Sequence, residues 1–273
     1  MLLKKKISMI ISITYIVWTF YNIFLHYFTF FPIITTIRKS SYCEEIYFSN
    51  EMGGYIWYPE DENVEAYQNV LFYFNGMEGN GSSRFNILRK LQQDYTDFTI
   101  LQMDYPGFGL SYNVPLTLKS LKKECSFVMR EILTSNPVEK YSCWGEGLGN
   151  WVMLSCLDSY VDYDPDKIIH YNISTSIQEN MNDNFSIISY FFLFSYFNTK
   201  NVPYYYKKRF KNKSPHVYFL YNNDQLKKER SFQCYYDLDS ISFSSKHLVY
   251  LEGKGNSSLL MKENFQKIKN IMI

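Results

Sequence analysis

The sequence lacks the cysteine patterns that zinc sites and disulfide frameworks need. Its 273 residues include five cysteines that are widely spaced, odd in number and never arranged as C-x-x-C: Cys43, Cys125, Cys143, Cys156 and Cys234. A structural zinc site needs cysteines or histidines at short spacings, and a disulfide framework needs cysteine pairs. Cys143 and Cys156 fall in apolar strand and helix contexts, which predict buried free thiols, and we expect no metal or other cofactor.

A large excess of one sign of charge is also absent. The 28 lysines and arginines are balanced by 27 aspartates and glutamates, which leaves a net charge of +1. Nucleic-acid-binding domains carry a strong positive excess, so this balance predicts no nucleic-acid partner. The chain is instead rich in apolar side chains, with 26 tyrosines and 22 phenylalanines, and we expect one large domain with a sizeable core and an appendage.

The appendage is the amino-terminal segment. Residues 1–6 carry three consecutive lysines, and the 28 residues of 7–34 contain no ionisable acid or base except His26. About 20 apolar residues are enough to cross a bilayer, so 7–34 is predicted to be a transmembrane signal anchor. The remaining domain would then run from 40 to 273.

The orientation of this predicted anchor rests on a small charge difference. Three lysines precede the segment, against Arg38 and Lys39 after it, which favours a cytoplasmic amino terminus and a luminal or extracellular body. Glycosylation sequons give weak further support for that side of the membrane. They lie at Asn80, Asn172, Asn184, Asn212 and Asn256.

The body alternates between buried strands and helices. Apolar β-forming runs at 70–74, 98–103, 167–171, 216–221 and 247–251 are separated by helical patterns, after a predicted hairpin at 45–58. This alternation predicts a mostly parallel twisted sheet covered by helices on both faces. Residues 175–213 interrupt it with an aromatic cluster and the basic run 204–209, and they form either a lid insertion or a helix packed on the core with a solvated basic end.

A glycine-rich junction lies between a strand and a helix at 141–151. Gly145, Gly147 and Gly149 occupy alternate positions there, as in the G-x-S-x-G turn that presents a nucleophile at its apex. The apex position is Gly147, which has no hydroxyl. Two alternatives are a turn without chemistry and a dinucleotide-binding turn, although the latter normally opens a βαβ unit and has an acidic residue about 20 positions on.

Three loops in register carry a family resemblance: F-N-G-M-E-G-N at 74–80, D-Y-P-G-F-G-L-S at 104–111 and G-E-G-L-G-N at 145–150. The chain resembles the α/β-hydrolase superfamily, and is most similar to the membrane-anchored branch that contains α/β-hydrolase domain protein 13 and the Bem46-like proteins. The resemblance covers residues 40–271 and the amino-terminal segment. It implies an α/β-hydrolase fold.

The resemblance also assigns positions to the catalytic groups. The nucleophile position is Gly147, the acid position is Asp224, and the histidine position is Asn256. An asparagine cannot accept and return a proton near neutral pH, so both the nucleophile and the general base are replaced. The oxyanion hole would use the backbone N–H groups of Met77 and Leu148.

These replacements predict a catalytically inactive pseudohydrolase that is held on a membrane and acts by binding a protein or an apolar, acyl-type ligand. Phe191, Phe192 and Phe194 are candidates for contacting such a ligand. The alternative is an active esterase, lipase or thioesterase with a displaced nucleophile, for which the candidates are Ser142, Cys143 and Ser111. We expect His170, His216 and His247, which lie in or at the start of strands, to be structural.

Overall fold

The computed structural model describes residues 2–30, 43–61, 64–76, 81–94, 97–159, 164–173, 202–210, 215–239, 241, 243–253 and 256–272. Its helices are α1 (Leu2–Phe30), α2 (Phe85–Asp94), α3 (Leu118–Ser135), α4 (Gly149–Ser159), α5 (Val202–Arg209), α6 (Gln225–Asp237) and α7 (Lys262–Met272). Short 3₁₀ helices occupy Gly81–Arg84, Gly109–Ser111 and Asn256–Leu260.

Eight strands form one sheet in the order β1-β2-β4-β3-β5-β6-β7-β8. They are β1 (Cys43–Tyr47), β2 (Gly53–Trp57), β3 (Asn69–Phe74), β4 (Thr99–Met103), β5 (Lys140–Glu146), β6 (Lys167–Tyr171), β7 (His216–Tyr221) and β8 (Ser245–Tyr250). Strand β2 is antiparallel to both β1 and β4, and all other neighbouring pairs are parallel. The predicted mostly parallel sheet is confirmed.

The central strands are buried on both faces because helices cover both sides. Along β3, Phe72 belongs to one core and Tyr73 to the other, as the two-residue period of a strand requires. The first core includes apolar residues of α3, α4, α5 and α6, and the second includes those of α2 and α7. Continuous apolar strands such as Asn69–Phe74 are typical of this three-layer arrangement.

The amino-terminal helix α1 leaves most of its apolar side chains exposed between Ile7 and Phe20, and Tyr21 packs against the first core. Among the helices that the structure describes, none combines the length and the apolarity required of a bilayer-crossing segment. The predicted span over 7–34 is therefore not supported by these helices, and its last four residues lie outside the described part of the chain.

The predicted insertion at 175–213 is described only at 202–210. Helix α5 buries Val202, Tyr205 and Tyr206 against α4 and α6, while Lys207 and Lys208 are exposed. This short helix has the buried face and the solvated basic end of the packed-helix alternative. The aromatic cluster, including Phe191, Phe192 and Phe194, lies outside the described residues, and the lid stays a prediction there.

Candidate functional site

The candidate site is built on the turn from β5 into α4. Strand β5 ends at Glu146, helix α4 begins at Gly149, and Gly147 lies between them with φ of +51°. This left-handed backbone is the conformation that glycine adopts most easily and that a nucleophile elbow imposes on its apex residue. The Gly147 N–H donates to the Tyr171 carbonyl at 2.9 Å, so the neighbouring strand β6 fixes the turn.

The glycines flanking the apex are required by close backbone contacts. A Cβ atom on Gly145 would lie 2.6 Å from Cα of Asn150, and one on Gly149 would lie 2.2 Å from the Asn75 carbonyl oxygen. A Cβ on Gly147 would have Cα of Gly76 as its nearest neighbour, at 4.0 Å. The turn therefore has room for a side chain at its apex, but the sequence places none there.

Asn150 holds the inner side of this turn. Its amide nitrogen donates to the carbonyls of Gly147 at 2.9 Å and Tyr171 at 3.1 Å, so its amide oxygen is the atom that faces Nδ1 of His170 at 2.7 Å. On the other side of the ring, Nε2 of His170 lies 2.6 Å from the Tyr206 hydroxyl. These contacts fix the neutral tautomer of His170. Its Nδ1 carries the proton and donates to the Asn150 amide oxygen, and its Nε2 accepts a hydrogen bond from the Tyr206 hydroxyl.

His170 is therefore a structural residue in this site. Its ring is fully buried and stacks on Phe219, and desolvation lowers its pKa from 6.5 to about 3. A ring that stays neutral and has both nitrogens engaged is not available as a general base. The other two described strand histidines also have partners, since His216 contacts the Ser245 hydroxyl at 2.7 Å and His247 stacks on Tyr218.

A buried ion pair lies directly before the apex. Glu146 accepts from Arg84 through both oxygens, at 2.6 and 2.7 Å, and from the Tyr73 hydroxyl at 2.8 Å. Both charged side chains are at least nine-tenths buried. The pair joins the end of β5 to the 3₁₀ helix that follows the glycine-rich loop after β3, so it sets the distance between the two loops of the candidate site. No motif in the sequence predicted this ion pair.

The glycine-rich loop begins at Asn75, directly after β3. The Asn75 side-chain oxygen accepts from Gln102, and its carbonyl accepts from the Tyr105 hydroxyl at 2.9 Å. These contacts hold the start of the loop in the core next to Gly149. Met77, one of the two predicted oxyanion residues, lies outside the described residues, whereas Leu148 follows the apex directly and is buried.

The acid position lies in the loop after β7. The Asp224 N–H donates to the Asn222 side-chain oxygen at 3.1 Å, and the Asp224 carbonyl accepts from Lys228 at 2.9 Å, so Asp224 starts helix α6. The Asn222 amide nitrogen donates to the Tyr171 hydroxyl at 3.1 Å. This hydrogen bond between uncharged groups joins the loop that contains Asp224 to β6, the strand that supports the apex.

The histidine position lies in the loop after β8. Asn256 is the first residue of the 3₁₀ helix Asn256–Leu260, and two residues later the Ser258 hydroxyl lies 2.8 Å from the Tyr171 hydroxyl. Asn264 of α7 holds the loop through Glu252 and Ser258, and the Asn223 N–H donates to the Gly253 carbonyl at 3.1 Å. Tyr171 therefore links all three loops: its carbonyl accepts from the apex and its hydroxyl contacts the other two.

The displaced nucleophiles of the alternative hypothesis have other environments. The Ser111 hydroxyl donates to the Asp104 carbonyl at 2.7 Å and accepts from the Gly53 N–H at 2.8 Å, which makes it a fully buried link between loops. Desolvation raises the pKa of the Cys143 thiol well above its usual value, so the nucleophilic thiolate is disfavoured. Ser142 is buried within β5 and faces a cleft at the amino-terminal ends of the strands, away from the apex.

Two further predictions can be compared with the structure. Of the five sequon asparagines, Asn172 is 5% exposed, with φ of +48° at the end of β6, so it is not an accessible glycan acceptor in the folded chain. Asn80, Asn184 and Asn212 lie outside the described residues, as does the Asn256 side chain. Within the described ranges, no group of three or more metal-binding side chains comes together.

Solved structures share this architecture. An esterase/lipase from an uncultured bacterium matches with a TM-score of 0.62 and 12% identity, over 87% of this chain and 85% of that one. A thermostable carboxyl esterase from Bacillus coagulans matches with a TM-score of 0.62 and 11% identity, over 85% and 98%.

An α/β-hydrolase enzyme from the Lake Arreo metagenome matches with a TM-score of 0.58 and 11% identity, over 87% of this chain and 82% of that one. No protein-family model matches the chain, and no curated protein matches its sequence. At these identities the similarity establishes the fold alone: the chain has the α/β-hydrolase fold.

Proposed function

We propose that this chain is a catalytically inactive α/β-hydrolase-fold protein that acts by binding. The observation that carries the proposal is the apex of the elbow, where Gly147 has the backbone of a nucleophile position and space for a side chain but no hydroxyl or thiol. Without a nucleophile, the acyl-enzyme route of this fold cannot begin there.

The surroundings of the other two catalytic positions support the same conclusion. A working triad needs an imidazole that exchanges protons between the nucleophile and an acid that orients it. Here the loops of Asp224 and Asn256 are joined through the uncharged side chains of Asn222, Tyr171 and Ser258. This network suits a fixed framework better than a proton relay.

The bound species is either an apolar, acyl-type ligand or a protein. The elbow and the Leu148 position retain the turn and the backbone N–H that hold an acyl group in an enzyme of this fold. An acyl ligand is the version that can be tested without knowing a partner.

Attachment to a membrane is the second part of the proposal. The exposed apolar residues of α1 include Ile7, Met9, Ile13, Tyr15 and Ile16. At 3.6 residues per turn they surround the helix rather than line one face, and a helix that is apolar all round is stable only when an apolar environment covers it. A lipid bilayer provides that environment.

The test combines turnover and ligand retention on the purified full-length chain. We expect no hydrolysis of p-nitrophenyl esters above the buffer rate, together with acyl-chain ligands that remain bound in native mass spectra. Gly147→Leu, which places a side chain in the open space at the apex, should reduce ligand retention, whereas Tyr236→Trp on the exposed side of α6 should not. Sustained ester turnover that is lost on substitution of Ser111, Ser142 or Cys143 would instead establish the displaced-nucleophile enzyme.

A further inference from the structure

Six cationic side chains form a surface on one side of the sheet, here called the basic face. It consists of Lys119, Lys122 and Lys123 of α3 and Lys207, Lys208 and Arg209 of α5. Both helices pack against α4, so the two groups of cations are neighbours in space although about 85 residues separate them in sequence. This proximity could not be read from the balanced overall charge.

One carboxylate connects the two helices. The Asp158 side chain of α4 is 6% exposed, and it pairs with Lys122 at 3.2 Å and with Lys208 at 2.5 Å, whose side chains are 44% and 50% exposed. Burial raises the pKa of Asp158, but the hydrogen bonds from Lys208 and Lys122 outweigh that effect and the pKa is lowered. Asp158 is therefore ionised, and it brings two lysines to one point of the surface.

The basic face keeps an excess of positive charge. Three carboxylates pair with it: Asp158, Glu124 with Lys123 at 2.9 Å, and Asp164 with Arg209 at 2.8 Å. Six cations against three anions leave three positive charges on a chain whose net charge is only +1. The excess is therefore a local one, formed where α3 and α5 bring their cations together on either side of α4.

An exposed aromatic side chain continues the surface along α3. Lys119, Lys123 and Phe127 are spaced four residues apart, so they follow one another on a single stripe of the helix. Phe127 is 41% exposed. A stripe that joins cations to an exposed aromatic ring is typical of surfaces that lie at the headgroup level of a bilayer.

The apolar helix α1 is attached to the body on the same side. Its Tyr21 packs against the core to which α3, α4 and α5 contribute, and not against the core below α2 and α7. Helix α1 therefore contacts the body, through Tyr21, on the side of the sheet that carries the basic face. Apolar insertion and a polybasic patch are the two signals whose combination gives stable attachment to membranes.

We infer that the basic face is a docking surface for the anionic headgroups of a lipid bilayer. The face holds the body against the membrane that α1 enters, with Lys119, Lys123 and Lys207 over the headgroups and Phe127 at the interface. A free polyanion such as nucleic acid would use the cations but not the adjacent apolar helix. This inference does not depend on what the elbow binds.

The test measures cosedimentation of the full-length chain with phosphatidylcholine vesicles, with and without phosphatidylserine. We expect tighter binding to the phosphatidylserine vesicles and loss of the difference at high salt. The variant K119Q/K123Q/K207Q should lose on the order of 100-fold of the phosphatidylserine-dependent affinity, because each basic residue near an anionic surface contributes roughly fivefold.

The matched control removes three exposed cations from the opposite side of the sheet. The variant R89Q/K262Q/K269Q, on α2 and α7, changes the net charge by the same amount and should bind both vesicles as the wild type does. Equal binding of the wild type to both vesicle types, or equal losses in the two variants, would overturn the basic face as the docking surface. So would a preference for duplex RNA over the vesicles.

The two membrane proposals fail differently. A chain that binds neither vesicle type contradicts both of them. A chain that binds only phosphatidylserine vesicles contradicts attachment through α1 and keeps the basic face. A chain that binds neutral and anionic vesicles equally keeps α1 and rejects the basic face.

Discussion

Replacement of Arg84 by methionine tests how strongly the buried ion pair holds the candidate site. The change keeps roughly the same side-chain volume but leaves the Glu146 carboxylate buried without its cationic partner, while the Tyr73 hydroxyl still donates to it. Removing one partner of a buried ion pair costs about 3–5 kcal/mol, because the other charge stays desolvated. For a domain of this size that corresponds to a melting temperature lower by about 6–20 °C.

A second substitution, at Glu146, gives a further test of the pair. The double variant R84M/E146Q, in which no charge is left uncompensated, should be more stable than R84M alone by about 1–3 kcal/mol.

The assay is thermal and urea unfolding of the full-length chain by circular dichroism. The control is K90M, which removes the exposed Lys90–Asp94 pair on α2, and there we expect a loss of about 1 kcal/mol or less. If R84M costs no more than K90M, or if R84M/E146Q is no more stable than R84M, the pair does not hold the two loops as we argue.

Three other predictions concern the elbow and its support. Gly149→Ala should abolish folding or cost several kcal/mol in urea unfolding, because its Cβ would lie 2.2 Å from the Asn75 carbonyl oxygen. Gly147→Ala should cost only about 1–2 kcal/mol, which is the cost of a left-handed backbone for a residue with a Cβ. Similar losses in the two variants would refute the steric argument. His170, with its pKa of about 3 in the fold and 6.5 when unfolded, takes up a proton on unfolding, so the free energy of unfolding should fall by roughly 1.6 kcal/mol in total as pH is lowered from 6.5 to 5. His170→Gln should remove this contribution. Tyr206→Phe leaves Nε2 of His170 without its donor and should cost about 1–3 kcal/mol, with a change in the tautomer-sensitive nitrogen shifts of His170 that a purely steric role would not produce.

The elbow could be predicted from the sequence because its causes are local. Three alternate glycines between a β-forming run and an apolar helix leave few other backbone paths, and two of them are required by contacts below 3 Å. The parallel sheet followed for the same reason, since strands such as Val70 to Phe74 have no polar face to expose.

The network behind the elbow could not be predicted, because its members are far apart in the chain. Arg84 lies 62 residues before Glu146, and Tyr206 lies 36 residues after His170. One signal was present: a glutamate at the buried end of a central strand needs a cationic partner. The sequence did not indicate which of its 28 lysines and arginines would supply it.

The amino-terminal segment shows the opposite difficulty. Its apolar composition predicted a span over 7–34, and the structure gives a helix at Leu2–Phe30 with exposed apolar side chains but no described helix that meets the criterion for crossing a bilayer. An apolar composition indicates only that such a helix is unfavourable in water. The composition does not determine whether lipid or protein covers the helix.

The most direct test of the central claim is the intact mass of the purified full-length chain after incubation with a fluorophosphonate probe, with an active esterase as the positive control. We predict no mass increase in the wild type, and none in Gly147→Ser, since Asn256 cannot take the proton from a restored hydroxyl. A stoichiometric adduct on any serine of the wild-type chain would show that a working nucleophile exists. It would contradict the proposal that this chain acts by binding and not by catalysis.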